Sequence, residues 1–287
     1  MVSVVIAAHN EAAVIGRCLD ALQAGGPALL DVTVVANGCT DDTAALARAR
    51  SGVRVVELAA ASKPAALNAG DAVAVGFPRV YLDADIVLSG ADVGRLAAAL
   101  DGTGPALAAV PRRDLVLAGR PLLVRAYYAV HRRLPVFRAA LFGRGAIALS
   151  GPARERFDRF PDIVADDLYL DSLFTAAEKH EVAQVAATVA TPLRTRDLVR
   201  RLTRVRAGNA ALRAAGPGVR GAARWAWLRD VVLPHPWLAP AAVCYVGLTV
   251  AAAVLARRGR GATTWGRDES SRVGSAAGRN PAAGRGQ

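Results

Sequence analysis

The chain has 287 residues, 53 % of them apolar, which is enough for one large α/β domain with a small appendage and excludes two full catalytic domains. Its 36 Lys and Arg against 24 Asp and Glu give a net charge of +12 and a pI near 10.8, so anionic lipid or phosphorylated substrates are expected partners. Nucleic acid is not, because aromatic residues are only 5 % and the basic excess lies mostly after residue 110.

Val2–Ala8 turns polar at His9 and Asn10 and has no basic leader, so it is expected as a strand and not as a signal peptide. Glu11–Ala24 then places Val14, Ile15, Cys18, Leu19 and Leu22 on one helical face. Val32–Ala36 reads as the second strand. Asp41–Arg50 reads as a helix behind Thr40, with acidic residues in its first turn. Val53–Leu58 is the third strand, and Lys63-Pro64 opens a helix with Pro near its first position. After strand Val80–Leu82, Ser89 with Asp92 caps another helix, and Ala106–Val110 is a fifth strand. These strands are apolar throughout, as in a sheet buried on both faces. Strand–helix alternation predicts an α/β, doubly wound, mainly parallel sheet that binds ligands beyond the C-terminal ends of its strands.

Residues 111–218 are less regular. They predict helices at Pro121–Arg133, Asp167–Lys179 and Thr195–Ala215, with strands at Gly145–Leu149 and Val182–Val189. Trp237–Ala256 then runs without a charged side chain and is followed by Arg257, Arg258 and Arg260. Its length suits the ~30 Å hydrocarbon core of a bilayer, so a transmembrane helix is expected. Arginines on both sides leave its orientation unassigned, and Pro234, Pro236 and Pro240 keep a re-entrant or interfacial element as the alternative. Residues 259–287, rich in Gly, Ala, Arg and Ser, read as a disordered tail, in which Trp265–Arg272 is more specified than a tail requires. Cys18, Cys39 and Cys244 are too widely spaced for a disulfide framework or a metal knuckle, which fits a reducing compartment.

Polar residues recur where strands meet their following turns. Asn10-Glu11 follows the first strand and Asn37-Gly-Cys-Thr-Asp41 the second. Alone, each reads as a turn and a capped helix. Asp83-Ala-Asp85 leaves the fourth strand with two carboxylates that are costly to bury unless solvated or paired with a cation, and Mg²⁺ or Mn²⁺ suits such a pair. Together with Lys63-Pro-Ala-Ala-Leu-Asn68, these motifs in this order resemble the nucleotide-binding half of the family 2 glycosyltransferases, which have the GT-A fold. Ala7, Ala8 and His9 depart from that family's usual Pro and aromatic before Asn-Glu, a difference at the pocket edge.

The resemblance covers residues 2–215 and implies a metal-dependent transfer from a nucleotide diphosphosugar. It places Ala8, Asn10, Glu11, Asn37, Asp41, Lys63, Asp83 and Ala84 around the donor, with Asp85 and Asp83 on the metal. His9 is expected as a pocket-wall or structural residue. Asp166-Asp167 resembles the family's acidic pair, so Asp167 is expected as the base that takes the acceptor hydroxyl proton, with Asp166 beside it. Arg204 or Arg206, in an Arg-rich run lacking the Gln and Trp of polymerising synthases, is expected near the departing diphosphate of a non-processive enzyme. Inversion by direct displacement follows from the same resemblance.

The expected organisation is a catalytic domain at 1–218, halved into donor-binding 1–110 and acceptor-binding 111–218, then a membrane-associated segment at 219–258. The domain is expected at the cell membrane, facing the cytoplasm, with a lipid or glycan acceptor. UDP-sugar is the preferred donor, since Asp41 suits uracil, and GDP-sugar the alternative. A sugar nucleotidyltransferase would need a Gly-rich, Arg-containing loop after the first strand, which Ala8-His-Asn-Glu11 does not supply. A catalytically silent membrane scaffold would have no use for Asp167.

Overall fold

A computed structural model describes residues 1–24, 30–138, 140–163, 165–215 and 223–258. The expected tail at 259–287, with Trp265–Arg272, and the domain boundary at 218 lie outside the described residues. One seven-stranded sheet organises the chain in the order β3-β2-β1-β4-β6-β5-β7. Strands β1 (Val2–Ala8), β2 (Leu30–Asn37), β3 (Val53–Leu58) and β4 (Arg79–Asp83) pair in parallel. β5 (Ala108–Val116) and β6 (Ala146–Leu149) run antiparallel to each other, β6 also pairs antiparallel with β4, and β7 (Lys179–Ala190) lies parallel to β5.

The unbroken apolar runs of β1, β2 and β4 arise because both faces of the sheet are covered. On one face Val4, Ile6, Val34 and Leu82 pack against α1 (Ile15–Gln23), α2 (Thr43–Arg48) and α4 (Gly90–Ala98). On the other, Val5, Val35, Tyr81 and Ile147 meet α3 (Lys63–Val73), α6 (Gly151–Arg154) and α7 (Asp166–Ser172). Ser62 caps α3, its Oγ accepting from the Ala65 N–H, and Pro64 occupies the first turn. Gly70 lets α3 lie against β1, since a Cβ there would stand 2.4 Å from Val5 Cγ1.

Asp71, on the same helix, is buried and clips three elements together. It accepts from Tyr81 Oη at 2.8 Å on β4, and pairs with Arg79 on β4 and Arg154 on α6. Burial and the Asp71 charge push the Tyr81 phenol up, so it serves as a neutral donor.

Several elements differ from their expected bounds, α1 for instance starting at Ile15 and not at Glu11, and three of the differences have a clear local cause. α2 begins at Thr43 and not at Asp41, because Asp41 Oδ1 accepts from the Thr43 N–H and Oγ1 in a turn of its own. α7 stops at Ser172 instead of reaching Lys179. Thr175 and Glu178 form a capping box over a separate 3-10 turn, and Lys179 already belongs to β7. β5 continues through Pro111 to Val116, and its register with β7 breaks between Pro111 and Arg112. Proline cannot donate to the ladder, so strands accept it at such irregularities.

A second, smaller core joins α5 (Leu122–His131), α8 (Thr195–Ala215) and α9 (Ala239–Arg257). Tyr127 stacks on Tyr245 at 5.2 Å, while Val130, Val231, Leu238 and Ala242 pack together. One side of α9 is therefore buried on the domain, and Val243 and Val250 on its other side are exposed. Pro236–Arg257 is long and apolar enough to cross a membrane by length and composition.

Two outcomes are expected from these contacts. Asp71→Ala leaves Arg79 and Arg154 without their shared anion and costs about 3 kcal/mol in urea unfolding. His131, packed between Tyr127 and Phe137, is pushed down to about 3 by burial and then by Arg113 and Arg201. A folded-state value below the ordinary 6.5 means that its contribution is complete above pH 6.5 and is lost as pH falls towards 3. Between pH 7 and pH 5 this loss is about 2 kcal/mol, and it should vanish in His131→Phe.

Candidate active site

The C-terminal ends of β1 and β2 carry two turns that hold each other. Asn10 adopts φ 53°, a left-handed conformation that Asn tolerates better than most residues, and its Oδ1 accepts from the Thr40 N–H at 2.6 Å. The Glu11 N–H donates to Thr43 Oγ1 at 2.7 Å, and the Ala12 N–H to Asp41 Oδ2 at 3.1 Å. Asn37 is fully buried, donating to the Ala8 carbonyl and accepting from the Ser62 N–H. It thereby ties β1 to the start of α3. His9 Nδ1 lies 2.8 Å from the Asn37 carbonyl oxygen.

Beside these turns opens a cleft of about 290 Å³, a volume at the low end for ligand pockets. Its floor is the exit of β4. The Asp83 N–H donates to the Gly145 carbonyl at 2.8 Å, which anchors Asp83-Ala-Asp85 to the turn entering β6. Gly145 has φ 71°, and a Cβ there would lie 2.4 Å from Ile86 Cγ1, so only glycine lets that turn pass so close to the motif. Beneath the motif, Cys18 is pushed up to about 12 by burial and then by Asp85, which leaves it a neutral packing group.

Lys63 reaches from the first turn of α3 to both sides of the cleft, with Nζ 2.9 Å from Asp83 Oδ1 and 3.0 Å from Asp166 Oδ2. Burial works against its charge, yet Asp166, Asp83 and Asp167 hold the ammonium protonated well above its ordinary range. The Asp166 carboxyl is raised to about 6 because burial outweighs the attraction of Lys63, with Asp167 and Asp83 adding repulsion. Asp83, Asp166 and Asp167 thus share one neighbouring lysine, and Asp85 lines the same cleft. Such an excess of hard oxygen donors fits a divalent cation completed by ligand phosphates, and among the described residues no ready-made cage of three or more protein ligands exists.

Asp167, the second residue of α7, accepts from the Leu168 N–H at 2.8 Å and the Gly143 N–H at 3.0 Å. These bonds fix its carboxylate at the cleft wall. Arg201 and Arg204, three residues apart on α8, face the same cleft.

Of the expected site residues, Glu11, Lys63, Asp83, Ala84, Asp85, Asp166, Asp167 and Arg204 line the cleft together. His9 lines it as well, in agreement with a pocket-wall role. Ala8, Asn10, Asn37 and Asp41 stand behind it and hold the turns, and Arg206 lies exposed away from the lining. Arg201, Gly143 and Gly145 line the cleft although the sequence motifs did not single them out. The spacing of Arg201 and Arg204 on one helical face was the available signal for the first.

Residues 3–139 match the family model described as Glycosyl transferase family 2. No curated protein sequence matches the chain. Among solved structures, a mannosyltransferase of Pyrobaculum calidifontis, in complex with GDP-Man and Mn²⁺, is 22 % identical. The match covers 90 % of this chain and 79 % of that one, with a TM-score of 0.59. Glucosyl-3-phosphoglycerate synthase of Mycobacterium tuberculosis, in complex with Mg²⁺ and UDP, is 21 % identical over 74 % of this chain and 78 % of that one, with a TM-score of 0.54. TarS of S. aureus is 13 % identical over 90 % and 91 %, with a TM-score of 0.50. At such identities the likeness is one of fold. Residues 3–139 thus match the family 2 glycosyltransferase model, and the sheet that they begin has the GT-A fold of these solved structures.

Proposed function

We propose that the chain transfers a sugar from a nucleotide diphosphosugar to a hydroxyl acceptor with inversion, using Asp167 as base and a divalent ion at Asp83-Ala-Asp85. The observation that carries this reading is one cleft in which the acidic motif of β4, Lys63 and the acidic pair of α7 converge. Mg²⁺ or Mn²⁺ held by Asp85 and Asp83 would neutralise charge on the departing diphosphate. Support for the ion comes from the surplus of carboxylates over Lys63, and from the Mn²⁺ and Mg²⁺ in the complexes of the structural relatives.

In this reading Glu11 and Asp83 face the nucleoside, and Lys63, bonded to Asp83, lies near the nucleotide. Asn10, Asn37 and Asp41 act by holding the turns that flank the donor, with Ala8 and Ala84 giving it a close wall. The Leu168 and Gly143 N–H groups orient Asp167 so that its carboxylate can take the acceptor proton. Asp166 engages Lys63 and keeps that lysine between the two carboxylate groups. Arg204 supplies positive charge towards the diphosphate, whereas the position of Arg206 favours a headgroup contact. The missing Gln and Trp of polymerising synthases support single transfers of a hexose.

We also propose that this domain works at the cytoplasmic face of a cell membrane, on a lipid-linked or envelope-glycan acceptor. Support for the membrane contact, though not for its side, comes from the exposed apolar side of α9, with Val243 and Val250, and from Arg257 and Arg258 at its end.

Titration of the full chain in detergent with UDP and with GDP, each with and without Mn²⁺, tests the donor site. One of them should bind only with metal, and Asp85→Ala should weaken that binding by about 10-fold or more. Failure of both nucleotides in a folded sample defeats the donor assignment. Asp167→Asn should lower turnover by roughly 10²-fold or more and leave nucleotide affinity within about twofold. Equal loss of both would show that Asp167 binds the donor and is not the base.

A further inference from the structure

Beyond the donor cleft, the arginines of the acceptor half are not equivalent. Arg144 is buried and fully engaged: its guanidinium donates to the carbonyls of Ala140, Pro111 and Phe137 and pairs with Glu181. Arg112 points to the outer side of β5 and pairs with Asp114. Arg113, one residue on, faces inward with its guanidinium 4.1 Å above the Phe137 ring. Among the described residues no carboxylate pairs with Arg113, and Arg201 donates only to the Ala190 carbonyl, at 3.3 Å.

Arg113 has like-charged neighbours in Arg144 and Arg201. Burial, followed by those two charges, pushes its guanidinium down to about 10. His131 on α5 feels Arg113 and Arg201 in the same way, and its buried Nδ1 has no hydrogen-bond partner among the described residues. Half-buried guanidinium groups without an anion are costly, and a cation–π contact offsets only part of that cost. Ordinary strand alternation along β5 leaves Arg112 exposed and Arg113 half-buried, while the break in register lies on the partner strand, where β7 carries extra residues between Val182 and Ala186.

The place of this cluster decides its use. Arg113 Nη1 lies 3.5 Å from where a Cβ on Gly143 would be, and the Gly143 N–H holds Asp167 at 3.0 Å. Arg201 lines the cleft with Val189 and Ala190. The uncompensated charge therefore adjoins the Asp167 side of the cleft, across the Gly143 turn from the carboxylate.

We propose that Arg113 and Arg201 form an anion subsite for a phosphate group carried by the acceptor. The planar guanidinium fork of each matches phosphate oxygens in a bidentate way. A phosphate docked there brings its attached chain in beside Asp167, so the acceptor class is a phosphorylated alcohol. This rests on Asp167 being the acceptor side of the reaction. The phosphate could belong to a lipid headgroup or to a free phosphomonoester, which share the recognised chemistry.

The test uses the full chain in neutral detergent, with Mn²⁺ and the binding nucleotide at saturation so that the donor site is filled. Glycerol 3-phosphate is then titrated, with glycerol as the uncharged control, and in parallel neutral-lipid vesicles with and without phosphatidic acid are added. Wild type should bind the phosphorylated probe and not glycerol. Arg113→Gln should weaken that binding by about 10-fold or more, Arg113→Lys by less, and both should keep nucleotide affinity. A unit change in thermal midpoint or less shows that the variants remain folded, and Arg201→Gln provides the second, independent loss. Binding of the vesicles alone assigns the phosphate to a lipid, and binding of the soluble probe assigns it to a free phosphomonoester. Equal probe affinity in wild type and both Gln variants overturns the subsite. If neither nucleotide binds, the titration is run without nucleotide: loss of probe binding in the Gln variants still supports the subsite while the donor reading fails.

Discussion

Everything at the cleft depends on one lysine set among carboxylates. Lys63 holds Asp83 on β4 and Asp166 on α7, with Asp167 adding to its field, so three separate stretches of chain meet through a single ammonium. Such a cluster survives in a partly buried place only because the ammonium is close to each anion and the anions still outnumber it. The remaining negative charge is what the proposed divalent cation would neutralise. The sheet, the turns and α3 can all be understood as means of putting Lys63 where it stands.

That placement is built from ordinary packing. Gly70 lets α3 lie directly on β1, and the Ser62 cap with Pro64 fixes where the helix begins. Asp71, one helical face further on, locks the same helix to β4 and α6 through Arg79, Tyr81 and Arg154. Asn37 joins the start of α3 to β1 from the other side. Residues that resemble ligand contacts in the motif thus divide into two kinds. Glu11, Asp83 and Asp85 face the cleft, whereas Asn10, Asn37 and Asp41 spend their polar groups on the turns around it.

Both signs of charge meet at the cleft. Carboxylates crowd the exit of β4 and the start of α7, Arg201 and Arg204 of α8 line the same cleft, and Arg113 of β5 lies behind the Gly143 turn next to Asp167. The exposed apolar flank of α9 lies on the same half of the molecule as α5 and α8, so the arginines of that half share it with an exposed apolar surface.

The sequence by itself determined the sheet and the motif positions. Apolar strands, Gly and Pro punctuation and helix caps are local signals, so β1 and β3 fall on their expected bounds and α8 spans Thr195–Ala215 as read. Asp83-Ala-Asp85, Lys63 and the acidic pair Asp166-Asp167 were legible because each interrupts a largely apolar stretch with charge that burial alone would not tolerate. What only the tertiary structure decided is partnership. The end of α7 at Ser172 depends on a Thr175–Glu178 cap competing with helix continuation, and the course of β5 through Pro111 depends on a break in its neighbour's register. Arg144 and Arg113 are indistinguishable as letters, yet one is neutralised by Glu181 and three carbonyls and the other is not. Composition records how many charges a chain carries. Which of them remain uncompensated is set by distances between residues far apart in sequence, and these exist only once the chain has folded.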